Sequence, residues 1–342
     1  MPMSVAFLTA PSIPPAEALP ELARVPPETP PDLLVAHAAT AKEWLAVLDR
    51  LQDMAIVFHQ TERRPTDPLV AVWIAGATEN PEPLTVVADF LLLGGGWSLL
   101  GPVLAELARA RGLERQARLE RLAALAGVYV PSFYAVEYSP EGPIAGVNPR
   151  PGVPLPVGLA GAAPFSTRVD SGYRRYFVGE PHRDVEWIAE AIKRERHEER
   201  MRLRREPAPL SVSLTCLVPW PWGLYQWALM ATEQRLKDEI RRASRLLARI
   251  TGVSVTHDQP KWALLDGVLK MGDRRAGDLL LLTHRLGWER AQVASTLNPS
   301  FILHRRRPKA EILPWDHVDW GINRDALWEE FERLLEGAGE KP

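Results

Sequence analysis

Asp316, His317 and Asp319 place two carboxylates and an imidazole within four residues. Those are the nitrogen and oxygen ligands that divalent ions take. The competing reading is a turn in which Trp315 and Trp320 pack and the carboxylates accept backbone N–H groups. Gly94-Gly95-Gly96 stands between an apolar run and a helical pattern, where a tight turn could offer free amides to an anion. No Lys or Ser/Thr follows it in P-loop spacing. His257-Asp258 is either an acid–base pair or a turn. Trp220, Trp222, Tyr225 and Trp227 could stack on a base or cofactor, or pack the preceding strand against a helical tail. His304-Arg305-Arg306-Arg307 is the one concentrated basic run, able to touch phosphate and otherwise a solvated loop. The single cysteine, Cys216, lies among Leu214, Leu217 and Val218 and reads as a buried structural thiol. The sequence holds no serine–histidine triad, no convincingly spaced carboxylate pair and no zinc cysteine set.

The elements that must position these residues fall into two styles. Val5–Leu8, Leu33–Ala36, Met54–Phe58, Val70–Ile74 and Asp89–Leu93 are short apolar runs bounded by turn residues, as buried parallel strands are. Ala16–Ala23, Ala41–Leu51 and Ser98–Arg111 carry helical patterns between them, which points to a doubly wound α/β unit. Only the ten residues from His59 to Pro68 lie between two of these runs, short for a parallel crossover with its helix. Either a helix is missing there or one of the flanking runs lies outside the parallel sheet. A second helix (Glu114–Leu125) and a strand pair on an exposed arm (127–138) follow, then a Pro/Gly-rich linker. Residues 183–205 form a charged helix with i, i+4 ion pairs and Val185, Ile188, Ala189 and Ile192 along one side. Leu210–Val218 is a strand. From there the pattern is helical to the end: Leu236, Ile240, Leu247 and Ile250 on one face, then Trp262, Leu265 and Leu269, then Leu279–Leu282. The last helix, Ala326–Leu335, is capped by Asn323 with Asp325 in its first turn.

With 342 residues, 46% hydrophobic and 25% charged, the chain has room for two or three packed domains. A net charge of −2 gives no global argument for nucleic acid or an acidic membrane. One cysteine rules out an intrachain disulfide and suits a reducing compartment. Early prolines (Pro11, Pro14, Pro15) argue against a secretory leader, and the longest apolar run is strand length. The expected location is the cytoplasm.

Six segments, in order, resemble one family: NPEPL (80–84), LLLGGGW (91–97), GVYVPSFY (127–134), SVSLTCLVPWPWGLYQW (211–227), the stretch from Trp262 to Arg275 with GDRR (272–275), and PWDHVDWG (314–321). The chain is similar in these to the uncharacterised bacterial radical-SAM proteins with an N-terminal cobalamin-binding-type domain. That resemblance implies a [4Fe–4S] cluster seated on three thiolates in CxxxCxxC spacing, within a (β/α) barrel. This chain carries one thiol. Its linker runs almost directly into what the resemblance makes the last barrel helix (183–205) and strand (210–218). The loop Thr9–Pro15, where corrinoid domains often place a histidine below the cobalt, has none. The acidic residues that the family carries in its glycine loop are absent from Gly94-Gly95-Gly96-Trp97.

The expected architecture is α/β: an abridged Rossmann-like parallel-sheet domain of cobalamin-binding type (1–126), a strand pair and linker (127–182), a remnant of the end of a radical-SAM barrel (183–230) and a helical C-terminal domain (231–342). The expected role is that of a non-catalytic homologue, an interaction or scaffold subunit that binds an active radical-SAM partner or a copy of itself. No resident cofactor is expected. The alternative is a small-molecule binder using the crevice at Gly94, Gly95 and Gly96, with cobalamin as the first ligand to try. A further alternative is RNA association through Arg305–Arg307. Neither nucleic acid nor a membrane is an expected partner.

Overall fold

The computed structural model describes residues 3–8, 23–24, 31–159, 173–180 and 184–337. The expected helix Ala16–Ala23 lies outside them save for Ala23, and so do the loop Thr9–Pro15, residues 160–172 of the linker and the start of the charged helix.

The fold is α/β, built on a mostly parallel sheet. Strands β1 (Ser4–Phe7), β2 (Ala23–Arg24), β3 (Leu33–Ala36), β4 (Leu69–Ile74), β5 (Phe90–Leu93) and β6 (Val128–Tyr129) lie in the order β2-β1-β3-β4-β5-β6. All neighbours are parallel except β5 and β6. β3 and β5 are buried along their whole length, which is why they read as unbroken apolar runs rather than alternating ones. Helix α1 (Ala41–Asp53) begins at a capping box: the Thr40 hydroxyl accepts from Glu43 N while Glu43 reaches back to the Thr40 amide. Its Trp44, Val47, Leu48 and Leu51 face the core. Helices α2 (Leu100–Arg109) and α3 (Arg115–Ala123) follow β5.

Met54–Phe58 is not a strand, which resolves the short crossover: the β3–β4 connection runs from 37 to 68 and contains α1. Two features divert the run. Ala55 sits in the left-handed region at φ 55°, which breaks an extended backbone. The Arg63 guanidinium then takes the carbonyls of Val57 and Phe58 (2.8 and 2.9 Å), leaving them nothing to offer a neighbouring strand. Arg63 is buried through Asp89, whose carboxylate receives Arg63 at 2.7 Å, Arg115 at 2.7 Å and the amide of Val70 at 2.7 Å. This one side chain ties together the starts of β4, β5 and α3. Val128–Tyr129, expected on an exposed arm, instead closes the edge of the main sheet as β6. The hairpin beyond it is formed by β7 (Tyr134–Tyr138) and β8 (Ile144–Pro149).

A second sheet is made of β9 (Tyr173–Val178), β10 (Leu210–Cys216) and β11 (Val253–His257), all parallel, with β10 central. Helices α4 (Glu186–Leu203) and α5 (Glu233–Leu247) connect them. β9 and β11 were not expected; β11 interrupts the region read as helical to its end. Its Val-Ser-Val-Thr-His alternation is only five residues long and half exposed, too little apolar signal to separate it from a loop. Helices pack on one face of this sheet: Tyr176 meets Trp187 of α4 at 5.4 Å, and Arg174 pairs with Glu195. Ser211, Ser213 and Thr215 of β10, Ser254 and Thr256 of β11 and Arg175 of β9 share the opposite face by register. None of these six is buried.

Helices α6 (Pro260–Met271), α7 (Arg275–Leu286), α8 (Trp288–Ala294), α9 (Pro299–Leu303) and α10 (Arg324–Gly337) complete the chain. α6 and α7 pack on α1, joining the two halves. Asn323 caps α10 as the sequence indicates, its side chain accepting from Ala326 N at 3.0 Å. Trp227, fully buried, meets Trp328 and Phe331 of α10 at 5.1 and 5.8 Å, so this part of the aromatic cluster packs the segment after β10 against the helical tail. Among the described residues no helix is long and apolar enough to cross a membrane.

Replacing Asp89 by Ala would strand the buried Arg63 guanidinium without its carboxylate. We expect a loss of about 3–5 kcal/mol of unfolding free energy, read by denaturant titration; a change below about 1 kcal/mol would show that the Arg63–Asp89–Arg115 triad does not organise this corner.

Candidate functional site

Two places collect the chemically capable residues, one sealed and one open. The sealed place is built around Glu82, in a short 3-10 turn after β4. Pro81 and Pro83 hold that turn, and the Asn80 amide group donates to the carbonyls of Lys270 and Gly272 (3.1 and 2.6 Å) at the end of α6. Gly277 of α7 lies so close to the turn that a Cβ there would stand 2.4 Å from the Pro83 carbonyl oxygen. Glu82 is almost wholly buried. Its carboxylate accepts from the Tyr129 hydroxyl at 2.6 Å and from Arg274 Nε at 2.9 Å. Arg274 also donates to the Tyr134 carbonyl at 3.0 Å. His317 closes the cluster: its Nε2 is 3.5 Å from Glu82 Oε1 and its ring lies 5.0 Å from that of Tyr129.

Burial by itself would raise the Glu82 carboxyl, but His317, Arg274 and the Tyr129 hydroxyl outweigh it and hold the group below the usual carboxylate range. Burial, and secondarily the Glu82 charge, pushes the Tyr129 hydroxyl well above its ordinary value. Burial lowers His317 in spite of the carboxylate beside it. Neither ring nitrogen makes a hydrogen bond. Four of the six quoted segments therefore meet at one buried carboxylate: NPEPL through Glu82, GVYVPSFY through Tyr129 and Tyr134, GDRR through Arg274, and PWDHVDWG through His317.

This placement separates the metal candidates. His317 faces Glu82, whereas Asp316 accepts from Leu313 N (2.9 Å) and Asp319 from Gly321 N (2.8 Å). Both carboxylates serve turns, and burial raises Asp316. Among the described residues no group of three or more His, Cys, Asp or Glu could hold a metal ion.

The open place is a cleft of about 550 Å³ at the carboxyl ends of β9, β10 and β11, where they approach the loop between β3 and α1. Trp262, Asp266 and Lys270 line it at i, i+4 spacing along one stretch of the chain, with Lys42, Arg175, Trp220 and Asp258 contributed by other segments. Asp266 accepts from Ala41 N at 2.6 Å and Asp258 from Cys216 N at 3.1 Å. The amides of Ala39 and Thr40 are taken by Glu43, so the start of α1 is satisfied within the chain. Parallel sheets bind ligands at this end of their strands, because that is where the loops diverge. His257 also lines the cleft, but its Nδ1 lies 2.9 Å from the Asp258 carbonyl rather than from the carboxylate, so the two are a turn and not an acid–base pair.

Gly94, Gly95 and Gly96 lie at the carboxyl end of β5 and do not line this cleft. Gly94 and Gly95 have φ of 63° and 64°, which explains the glycines by backbone shape alone. Their carbonyls are occupied, Gly94 by the Trp73 indole at 3.3 Å and Gly95 by the Ser98 hydroxyl. The basic run is likewise built into packing: Arg305 is paired with Glu311, and Arg307 is buried, donates to the Ile302 carbonyl and is lowered to about 10 by that burial. Cys216 borders the cleft yet is buried, and burial pushes its thiol up to about 12. A cluster needs several accessible thiolates, and this residue fits neither condition.

Residues 31–131 match the family model for the N-terminal region of radical SAM proteins. This N-terminal part of the chain is similar to the radical SAM proteins. The match runs from the residues just before β3 through β6 and includes Glu82, the glycine turn and Tyr129. No curated protein and no solved structure matches the chain. The cleft cations Lys42, Arg175 and Lys270 escape sequence reading because each is a lone residue on a different element, and no spacing connects them. The convergence on Glu82 escapes it for the same reason, although every participant stands inside a segment that carries the family resemblance.

The unfolded chain protonates His317 below about pH 6.5, while the folded chain resists that proton. Stability should therefore fall as pH drops from 7 towards 5. His317→Phe keeps the ring packing and removes the titration. We expect it to flatten this part of the stability–pH curve in denaturant titrations; an unchanged slope would place the sensitivity elsewhere.

Proposed function

We propose that this chain is a non-catalytic radical-SAM relative that acts as an interaction or scaffold subunit, binding a copy of itself or an active radical-SAM enzyme. The observation that carries this reading is the fate of the family-like segments. Those that converge do so on a buried packing cluster around Glu82, while the one thiol is enclosed in β10. What is retained is the means of joining the first sheet to the C-terminal helices; what a cluster-dependent active site needs is not supplied by this chain. The short β9–β11 sheet, with its connecting helices, is the remnant of a barrel end in this reading.

The same sheet suggests where a partner adds. Among the described residues β9 and β11 have no strand on their outer sides. Free strand edges are templates for pairing. The uncovered face is rich in hydroxyls and is unsuited to a dry interface, so the edges, with their unpaired backbone groups, are the better contact.

Light scattering on the purified full chain tests the proposal. The expected result is a species of at least twice the 38.2 kDa chain mass, or a defined complex with a co-expressed radical-SAM enzyme. A stable monomer that forms no such complex would contradict it.

A further inference from the structure

The open cleft carries an inference independent of the scaffold role. We propose that it binds a small organic phosphate bearing a planar ring, of nucleoside monophosphate size. Its volume of about 550 Å³ falls within the range of small-molecule sites, and two parallel sheets direct their carboxyl ends towards it. The charge balance sets the ligand's sign. Lys42, Arg175 and Lys270 line the cleft, and among the described residues none of the three forms a salt bridge or a side-chain hydrogen bond. The two carboxylates that share the lining, Asp258 and Asp266, already accept backbone amides. Lys270 is near enough to Asp266 and Glu79 to act on both, but three lining cations against two lining carboxylates leave an excess of positive charge, gathered from three separate elements, that an incoming anion completes.

The walls set the ligand's shape. The Lys42 ammonium is held 5.1 Å from the centre of the Trp262 ring, so that this indole positions a cation rather than offering a bare face. The Trp220 indole provides the second wall, half-buried and pressed against the backbone of Gly223, where a Cβ would stand 2.4 Å from its Nε1. A ring fixed in this way is a stacking surface that costs little to order. Thr40 and Thr215 add hydroxyls to the lining. Phosphate would sit among the cations, with the planar ring against Trp220.

Titration calorimetry with AMP, GMP and UMP on the full chain tests this. At least one should bind with a dissociation constant below about 1 mM. The matching nucleoside and inorganic phosphate should each bind at least about tenfold more weakly. Lys270→Gln and Arg175→Gln, both at positions outside the packed core, should each weaken binding by about tenfold while leaving the thermal midpoint unchanged. Trp220→Leu should weaken the nucleotide but not inorganic phosphate. Absence of binding by all three nucleotides at millimolar concentration would overturn the proposal, as would affinities indifferent to the Lys270 and Arg175 changes. Equal binding of the nucleoside would overturn the phosphate assignment, and equal binding of inorganic phosphate would overturn the ring assignment.

Discussion

A carboxylate buried between two halves of a protein is expensive unless hydrogen-bond donors and a cation meet it. Glu82 meets that condition only when the turn after β4, the sheet-closing strand β6 and the start of α7 are all in place, because Tyr129 and Arg274 come from the latter two. The cluster thus acts as a registration point: the first sheet and the C-terminal helices can associate in one arrangement without leaving a charge unpaired. Arg274 extends that control to the hairpin through the Tyr134 carbonyl, and Arg275 does the same through the Gly142 carbonyl and the ring of Tyr138. The GDRR segment is a two-sided clamp in this structure.

The contrast between the two sheets bears on function. The first is parallel and buried through β3 and β5, as parallel sheets ordinarily are. The second has helices on one face and hydroxyls on the other. Ser211 and Ser254, directly opposite in register, lie 3.1 Å apart through their side-chain oxygens. A parallel sheet with a polar second face suits water or a polar ligand better than an apolar layer.

Much of the first sheet was legible because burial on both sides makes a strand a continuous apolar run. Leu33–Ala36 agrees in both bounds, and β1, β4 and β5 agree within about a residue. Met54–Phe58 misled because an apolar run does not reveal a left-handed Ala55 or an arginine that takes its carbonyls. β9 and β11 were missed because half-exposed strands of five or six residues leave weak alternation. The site was less legible than the fold. His317 stood out beside two carboxylates, yet its partner is Glu82, 235 residues away. Asp316 and Asp319 drew notice by type and serve turns. The quoted segments pointed to ancestry, whereas only the tertiary structure brings their polar residues to one point.

The proposed role rests on one thiol being too few to seat a [4Fe–4S] cluster in this chain. Iron and sulfide content after anaerobic reconstitution of the full chain, compared with Cys216→Ser, addresses it most directly. No stoichiometric iron is expected in either protein. A brown protein holding about four irons per chain, lost on replacing Cys216, would contradict it.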